Sequence, residues 1–225
     1  DDYMLVPMDL EQTNHLKAYG LAYYMLTQGV QVEWLLNYRG GSFIMPASND
    51  IVLDARLKDV TFVEVTGSDV AQIQAEIAQS NMEVVHLEKA PKVAVYVPPL
   101  KQPWDDAVML ALEYAEIPYA RVFDEEVLTG QLEKYDWLHL HHEDFTGQYG
   151  KFYAAYRHTD WYQADQRDAE ERARALGFKK VSDEKKAVAD KIRDYVMSGG
   201  FLFAMCSACD SYDIALSAAG VDIVA

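Results

Sequence analysis

The stretch Phe201-Leu-Phe-Ala-Met-Cys-Ser-Ala-Cys-Asp210 changes at Cys206 from apolar residues to small and polar ones. The apolar part predicts a short strand, since it follows the turn residues Gly199-Gly200 and is rich in aromatic side chains. The small residues that follow predict a helix that begins almost at once. A strand that passes sharply into a helix is typical of a parallel α/β sheet, and it exposes the side chain at the turn.

Three more strand patterns lie upstream, at Lys92-Val-Ala-Val-Tyr-Val97, 119–123 and Asp136-Trp-Leu-His-Leu-His141. Helical patterns separate them, one starting near Trp104 and one with Ser182 as its predicted N-cap. The alternation predicts an open parallel wound sheet over residues 91–225, with a strand order of the type 2-1-3-4-5. Because such a sheet normally continues past its fourth strand, we expect this domain to be incomplete at its C-terminus.

Residues 1–90 form a separate, smaller α/β region in this interpretation. Strand patterns at 3–8, 30–36, 42–45, 61–66 and 83–87 alternate with helical patterns at 16–29 and 69–79. The polar break Glu88-Lys89-Ala90-Pro91 separates this region from the wound sheet. The alternation predicts a parallel sheet with helical crossovers here as well.

The connection between the third and fourth strands of the wound sheet, residues 143–181, is unusually long. It is aromatic as far as Tyr162 and highly charged over 165–174. Two interpretations are open. The segment is either a surface insertion with one solvated helix, or a substrate lid or dimerisation arm that would make the protein a homo-oligomer.

The composition of the 225-residue chain excludes some classes of function. Its net charge is −16 and its pI is about 4.6, which argues against a nucleic-acid partner because phosphates are neutralised by clustered Lys and Arg. No apolar stretch approaches the roughly 18 residues that a membrane span needs. We expect a soluble, acidic protein of unknown compartment, and the start at Asp1 is compatible with export after signal-peptide removal.

Cys206 is the candidate nucleophile. In an open parallel sheet, ligands bind beyond the carboxyl ends of the strands, where helix N-termini present free N–H groups. Such a helix end favours a thiolate and offers backbone donors to an oxyanion, and it makes Ser207 a candidate ligand contact. The alternative interpretation is a buried structural thiol at the end of a strand.

A second cluster, His139-Leu-His-His-Glu-Asp144, lies at the end of the third strand. The predicted strand order makes the third and fourth strands neighbours, so His141, His142 and Glu143 should lie beside Cys206. Strand alternation predicts that His142 faces away from His139 and His141, so at least one of these histidines is structural. The sequence predicts His141 or His142 as the base, with Glu143 as a further catalytic candidate.

Two other chemistries remain open for these residues. His, Glu and Cys side chains also bind zinc, although their spacing matches no recognised zinc pattern. Cys206-x-x-Cys209 matches a dithiol redox spacing at a helix N-terminus. No metal or cofactor is predicted, and Gly29, Gly40 and Gly41 do not form a dinucleotide-binding fingerprint.

The turn formed by Arg39, Gly40, Gly41 and Ser42 is a candidate ligand-binding loop. Its backbone donors and the guanidinium could hold a carboxylate or a phosphate. The alternative interpretation is a hairpin turn with an exposed arginine.

Three stretches resemble a bacterial family often labelled asparagine synthetase B, over nearly the whole chain. They are Gln12-Thr-Asn-His-Leu-Lys-Ala-Tyr-Gly20, Glu33-Trp-Leu-Leu-Asn-Tyr-Arg-Gly-Gly-Ser42 and His139-Leu-His-His-Glu-Asp-Phe-Thr-Gly-Gln148. From Lys92 onward the chain is also similar to the flavodoxin-like, class I glutamine-amidotransferase-like superfamily, which includes trehalose-utilisation-like proteins and Cys hydrolases.

The resemblance implies Cys206 as the nucleophile of a nucleophile elbow. Position 208 is Ala, where the superfamily has Gly, and the superfamily's His and Glu partners would follow beyond Ala225. His141 or His142 would then have to serve as the base. The ATP loop of true asparagine synthetases, Ser-Gly-Gly-x-Asp-Ser, is not present, because Ser198-Gly199-Gly200 leads into a strand.

Two functions follow as hypotheses. The first is a Cys-dependent hydrolase or amidotransferase-like enzyme that acts on a small-molecule amide or acyl substrate. The second is a non-catalytic binding or assembly module, in which the aromatic insertion 145–162 and the Arg39 turn contact a ligand or a protein partner.

Overall fold

The structure is a computed structural model that describes residues 2–148 and 153–223. The chain forms two compact units. The first comprises residues 1–90 and 106–118, and the second comprises 91–105 and 119–225. The sequence assigned 106–118 to the second domain, because its helical pattern was interpreted as a crossover of the wound sheet. No helix among the described residues is both long enough and apolar enough to cross a membrane.

The first unit is a five-stranded sheet with helices on both faces. Its elements are β1 (Asp2–Val6), α1 (His15–Thr27), β2 (Val32–Leu36), β3 (Ser42–Pro46), α2 (Asn49–Leu57), β4 (Val63–Thr66), α3 (Gly67–Ala78), β5 (Glu83–Leu87) and α4 (Ala107–Ala115). A 3₁₀ turn, Tyr38–Gly40, lies between β2 and β3. The strand order is β4-β1-β3-β2-β5.

The prediction of a parallel sheet in this region was wrong, because every strand pair in it is antiparallel. β1 and β2 do run in the same direction around α1, but β3 is inserted between them. The short connection 37–41 lets β3 fold back on β2 as a hairpin. The result is the split β-α-β arrangement, in which helical crossovers join strands that are not neighbours.

Alternating side chains of β1 and β3 divide the first unit's interior between two faces. Met4 and Val6 pack with α1 and α2, whereas Leu5 packs with α3. Helix α2 was not predicted from the sequence. Ser48 is its N-cap residue, and the Ser48 side chain accepts a hydrogen bond from the backbone N–H of Ile51 at 3.4 Å. Both sheet faces are therefore covered within this unit.

The second unit is a parallel sheet of four strands. Its elements are β6 (Val93–Tyr96), β7 (Tyr119–Val122), α5 (Asp124–Leu128), β8 (Trp137–Leu140), α6 (Tyr153–Tyr156), α7 (Asp160–Ala175), α8 (Val181–Met197), β9 (Phe201–Ala204) and α9 (Ser207–Ser217), with 3₁₀ turns at Pro103–Asp105 and Gln131–Lys134. The order β7-β6-β8-β9 is the predicted 2-1-3-4. The predicted parallel sheet is confirmed for these four strands.

One face of this sheet carries the main core of the second unit. Leu138 and Leu140 of β8 pack with Val188 and Ile192 of α8, and all four side chains are fully buried. α8 begins one residue before Ser182, with Lys180 at the N-cap position. Ser182 is therefore a buried residue of the first turn and not the predicted cap.

The long connection between β8 and β9 fits the interpretation of a surface insertion. α7 is exposed along most of its length, and only Tyr162 and Ala173 are buried. Part of the predicted aromatic insertion, 149–152, lies outside the described residues.

We expect Gly20→Ala to lower the free energy of unfolding, because an added Cβ would lie 1.8 Å from the carbonyl oxygen of Ala115 in α4. Overpacking of this kind costs about 1–3 kcal/mol, against a gain in helix propensity of about 1 kcal/mol. Urea unfolding of the whole chain measures the difference. The control is Gly67→Ala at the start of α3, where an added Cβ meets no atom within 4 Å; equal losses in the two variants would contradict the close packing of α1 on α4.

Candidate functional site

Cys206 occupies a strained turn between β9 and α9. It is the N-cap residue of α9 and has φ 52° and ψ −137°. Three other residues with positive φ lie in the ordinary left-handed region, namely Asn37, Arg39 and Glu116. A non-glycine residue outside that region costs about 1–3 kcal/mol and persists only where its surroundings fix it. The thiol is exposed at this turn.

Hydrogen bonds from the Cys206 turn fasten it to the end of β8. The backbone N–H of Met205 donates to Leu140 O at 2.9 Å, and that of Ala208 donates to His141 O at 3.2 Å. The Ser207 hydroxyl donates to His142 O at 2.9 Å. The structure thus brings Cys206 and the His141–His142 backbone together, as the predicted order of strands requires.

The three histidines of this segment have different surroundings. His139 remains in β8, is buried, and stacks on Phe203 with ring centroids 5.6 Å apart. β8 ends at Leu140, and the rings of His141 and His142 stack on each other at 3.5 Å. The prediction that His142 faces away from His141 was wrong, because strand alternation no longer applies beyond the strand end. His139 is a structural residue in this arrangement.

Glu143 shapes the turn that carries the two histidines. Its Oε2 accepts hydrogen bonds from the backbone N–H groups of His141 and His142, each at 3.1 Å. Its carbonyl oxygen accepts a hydrogen bond from the hydroxyl of Ser211 in α9 at 2.8 Å. These contacts give Glu143 a positioning role, and its predicted catalytic role stays a prediction.

The Cys206 thiol makes no side-chain hydrogen bond to any described residue, so the expected Cys–His pair is not formed. The N–H of Ser207 takes no part in the backbone hydrogen bonds of the described turn, whereas the N–H groups of Ala208 and Cys209 do. The Ser207 N–H, at the start of α9, is therefore placed to donate to an anion beside the sulfur.

Two imidazoles of this site lie close enough together to share a metal ion. His141 and His142 hold ring nitrogens within 4.8 Å of each other. Zinc sites in proteins ordinarily use three or four protein ligands. The pair by itself therefore assigns no metal.

The contacts of the Arg39 turn favour a packed hairpin connection over an anion-binding loop. Arg39 donates to Asp9 Oδ2 at 2.8 Å and to Glu11 Oε2 at 2.5 Å, and the hydrogen bond to Asp9 lowers the pKa of that carboxyl. The Ser42 hydroxyl donates to backbone oxygens of the same turn.

The glycines of this turn are needed for its packing. A Cβ at Gly40 would lie 2.4 Å from Met8 O, so glycine is needed there for close packing. Gly41, with φ 96°, completes the turn beside the Trp34 indole.

A buried cluster of charged groups lies at the carboxyl ends of β6 and β7, and the sequence analysis missed it. The ammonium group of Lys185 donates to both Asp124 oxygens, at 2.7 and 2.8 Å, and to the Tyr96 hydroxyl at 3.0 Å. Tyr96 also donates to Asp124. Arg172 of α7 lies 3.6 Å from Asp124 Oδ2. Asp124 and Tyr96 are almost completely buried.

Glu184 is the unusual member of this cluster. It is fully buried, and its carboxyl group lies beside that of Asp124, where a hydrogen bond between the two requires a proton on one of them. Burial and the nearby Asp124 charge raise the pKa of Glu184 to about 7. The sequence did carry a signal, because Val181, Lys185, Val188 and Ile192 follow the spacing of one helix face. A lysine on an apolar face indicates a buried partner.

Comparison of the chain with protein-family models, with curated proteins and with solved structures finds no match. The candidate site is therefore defined by its own geometry: an exposed cysteine at a strained turn, two stacked histidines fastened beside it, and a buried charged cluster in the same unit.

We expect Glu184→Gln to stabilise the protein at alkaline pH. Because the folded state retains a proton on Glu184 up to about pH 7 while the unfolded state loses it near 4.5, stability falls as pH rises between these values. Above this window, the free energy of unfolding of the wild type is lower by about 3 kcal/mol, and the glutamine variant does not have this loss. Urea unfolding at pH 5 and pH 8.5 measures the effect.

The matched control for Glu184→Gln is Glu171→Gln, at an exposed position of α7. A surface change of this kind alters stability by less than about 0.5 kcal/mol. If Glu184→Gln has the same stability relative to wild type at both pH values, Glu184 does not hold its proton in the folded state.

Proposed function

We propose that this protein is a Cys-dependent hydrolase or amidotransferase-like enzyme that acts on an amide or acyl substrate, with Cys206 as the nucleophile. The observation that carries the proposal is the backbone strain at Cys206, an exposed residue at φ 52° and ψ −137°. Strain of this kind concentrates at functional sites, and a sharp strand-to-helix turn is the geometry that presents a nucleophile.

The chemistry follows from what surrounds the sulfur. A proton leaves the Cys206 thiol for an imidazole, and the sulfur then forms a bond to the carbonyl carbon of the substrate. The Ser207 N–H and the N-terminal end of α9 supply donors for the oxygen that becomes negative. Collapse of this intermediate expels the amine, which takes the proton back, and water then releases the acyl group from the sulfur.

His141 and His142 are the proposed bases. Their backbone is fastened to the first turn of α9, so rotation of one imidazole away from the stack at 3.5 Å is the movement that this role requires. His142 is the better candidate, because it is exposed while His141 is buried. Glu143 would hold both residues in place through their N–H groups.

The narrower assignment, a flavodoxin-like fold of the class I glutamine-amidotransferase-like superfamily and the family labelled asparagine synthetase B, is part of this proposal. Parallel strands in the order 2-1-3-4 and a cysteine after the fourth strand support the superfamily. Ala208, where the superfamily has Gly, is the departure, and it is fully buried in α9.

A non-catalytic binding module is the second candidate, and two observations favour it. The Cys206 thiol has no hydrogen-bonded base among the described residues. Among its described residues, the insertion exposes three aromatic side chains, Tyr153, Tyr156 and Trp161, of which the last two pack at 5.4 Å. Such a group of aromatic side chains suits a protein or ligand contact.

Alkylation by iodoacetamide tests the nucleophile, with Cys209→Ala reporting on Cys206 and Cys206→Ala reporting on Cys209. Both cysteines are exposed, so access does not distinguish them. We expect Cys206 to react roughly tenfold faster than Cys209 at pH 6.5, because Cys206 lies at the extreme N-terminal end of α9 and its turn is fastened to the segment that carries His141 and His142. We expect His142→Ala to reduce the ratio. If the two cysteines react at equal rates, and if neither His141→Ala nor His142→Ala changes these rates, the result contradicts a nucleophilic Cys206 and supports the binding module.

A further inference from the structure

Cys209 is a second exposed thiol that the proposed chemistry does not use. It is the third residue of α9, while Cys206 is the N-cap of the same helix. Both are free, and both are exposed. The backbone N–H of Cys209 donates to the carbonyl oxygen of Cys206 at 3.2 Å, which closes one helical turn between them.

This turn holds the two cysteines at a separation that a disulfide accepts. Three residues of rise along a helix, with Cα atoms on its cylinder, put the Cα atoms about 5 Å apart. Disulfides span Cα separations of about 4.4–6.8 Å. The Cα separation of the two cysteines is therefore within the range that a disulfide requires.

We infer that Cys206 and Cys209 form a reversible intramolecular disulfide when the protein meets a hydroperoxide, and that this bond withdraws the nucleophile. The pairing rests on the geometry of the α9 turn alone. Its consequence for catalysis rests on the proposed function.

The oxidation is balanced in two steps. The Cys206 thiolate attacks the peroxide, so an S–O bond forms and the O–O bond breaks. The leaving oxygen takes up a proton and departs as water from hydrogen peroxide, or as an alcohol from an organic hydroperoxide. The Cys209 sulfur then attacks the sulfenic acid, so an S–S bond forms, the S–O bond breaks, and water leaves with the Cys209 proton. A dithiol reductant reverses the reaction by thiol–disulfide exchange.

The fixed positions of the two cysteines determine which one reacts first. Cys206 lies at the extreme N-terminal end of α9, where backbone N–H groups favour an anion. Cys209 lies within the first turn, so it is placed to resolve the sulfenic acid that forms at Cys206. The same residue that makes the better nucleophile is thus the better peroxide target.

The experiment treats the whole chain with hydrogen peroxide, blocks free thiols with iodoacetamide, and digests it with trypsin. No Lys or Arg lies between Arg193 and Ala225, so both cysteines fall in the one peptide that begins at Asp194. We expect this peptide to lose about 2 Da and both alkylation sites, and to regain them after reduction by a dithiol. Oxidation of Met197 or Met205 adds about 16 Da and is distinguished by this mass.

Cys209→Ser is the matched variant. Without a resolving thiol, Cys206 should persist as a sulfenic acid that dimedone traps, and trapping should rise at least about tenfold over wild type. Two results in the wild type would overturn the inference. One is oxidation of Cys206 to a sulfinic acid while Cys209 can still be alkylated, and the other is a disulfide between two chains.

Activity is measured separately, with any amide substrate that the wild type hydrolyses faster than the Cys206→Ala variant does. If the disulfide forms but no such substrate is found, the pairing stands and the proposed function fails. If a substrate is found but the disulfide does not form, the reverse holds.

Discussion

The parallel pairing of β8 with β9 is the constraint on which the candidate site depends. Leu140 lies opposite Ala204, and the Met205 N–H adds one more hydrogen bond to Leu140 before the chain turns. Cys206 is consequently the first residue beyond the last hydrogen bond between β9 and β8. The hydrogen bonds of Ser207 and Ala208 to the histidine segment continue the attachment across the turn. This attachment holds Cys206 at backbone angles that an isolated chain would avoid.

Much of the second unit could be predicted, because its strands are short apolar runs separated by clear helical patterns. The antiparallel sheet of the first unit was not predicted, since periodicity does not report the direction of a strand and only the hairpin alternative for the Arg39 turn implied an antiparallel pair. There the connection 37–41 decides the outcome by making a hairpin of β2 and β3. α2 was missed because only Ile51 and Ala55 of that helix are buried, which leaves a weak apolar pattern.

The position of the site could also be predicted, but the orientation of its side chains could not. Strand order alone placed the histidine segment beside Cys206. The stacking of His141 on His142 depends on the turn after Leu140, which Glu143 stabilises through two N–H groups. The cluster around Asp124 was missed because Lys185 was given no role, although it lies on the apolar face of α8 and its ammonium group bonds Asp124 and Tyr96 inside the unit.

The backbone angles of Cys206 lower the stability of the fold at the same residue that carries the reactive thiol. Glycine adopts positive φ about as readily as negative φ, so a glycine there would relieve the strain without altering the path of the chain. It would also remove the sulfur. Selection for stability alone would therefore favour the loss of this side chain, and only selection for its chemistry would keep it. The rest of the parallel sheet must therefore supply enough stability to offset the strain at this turn.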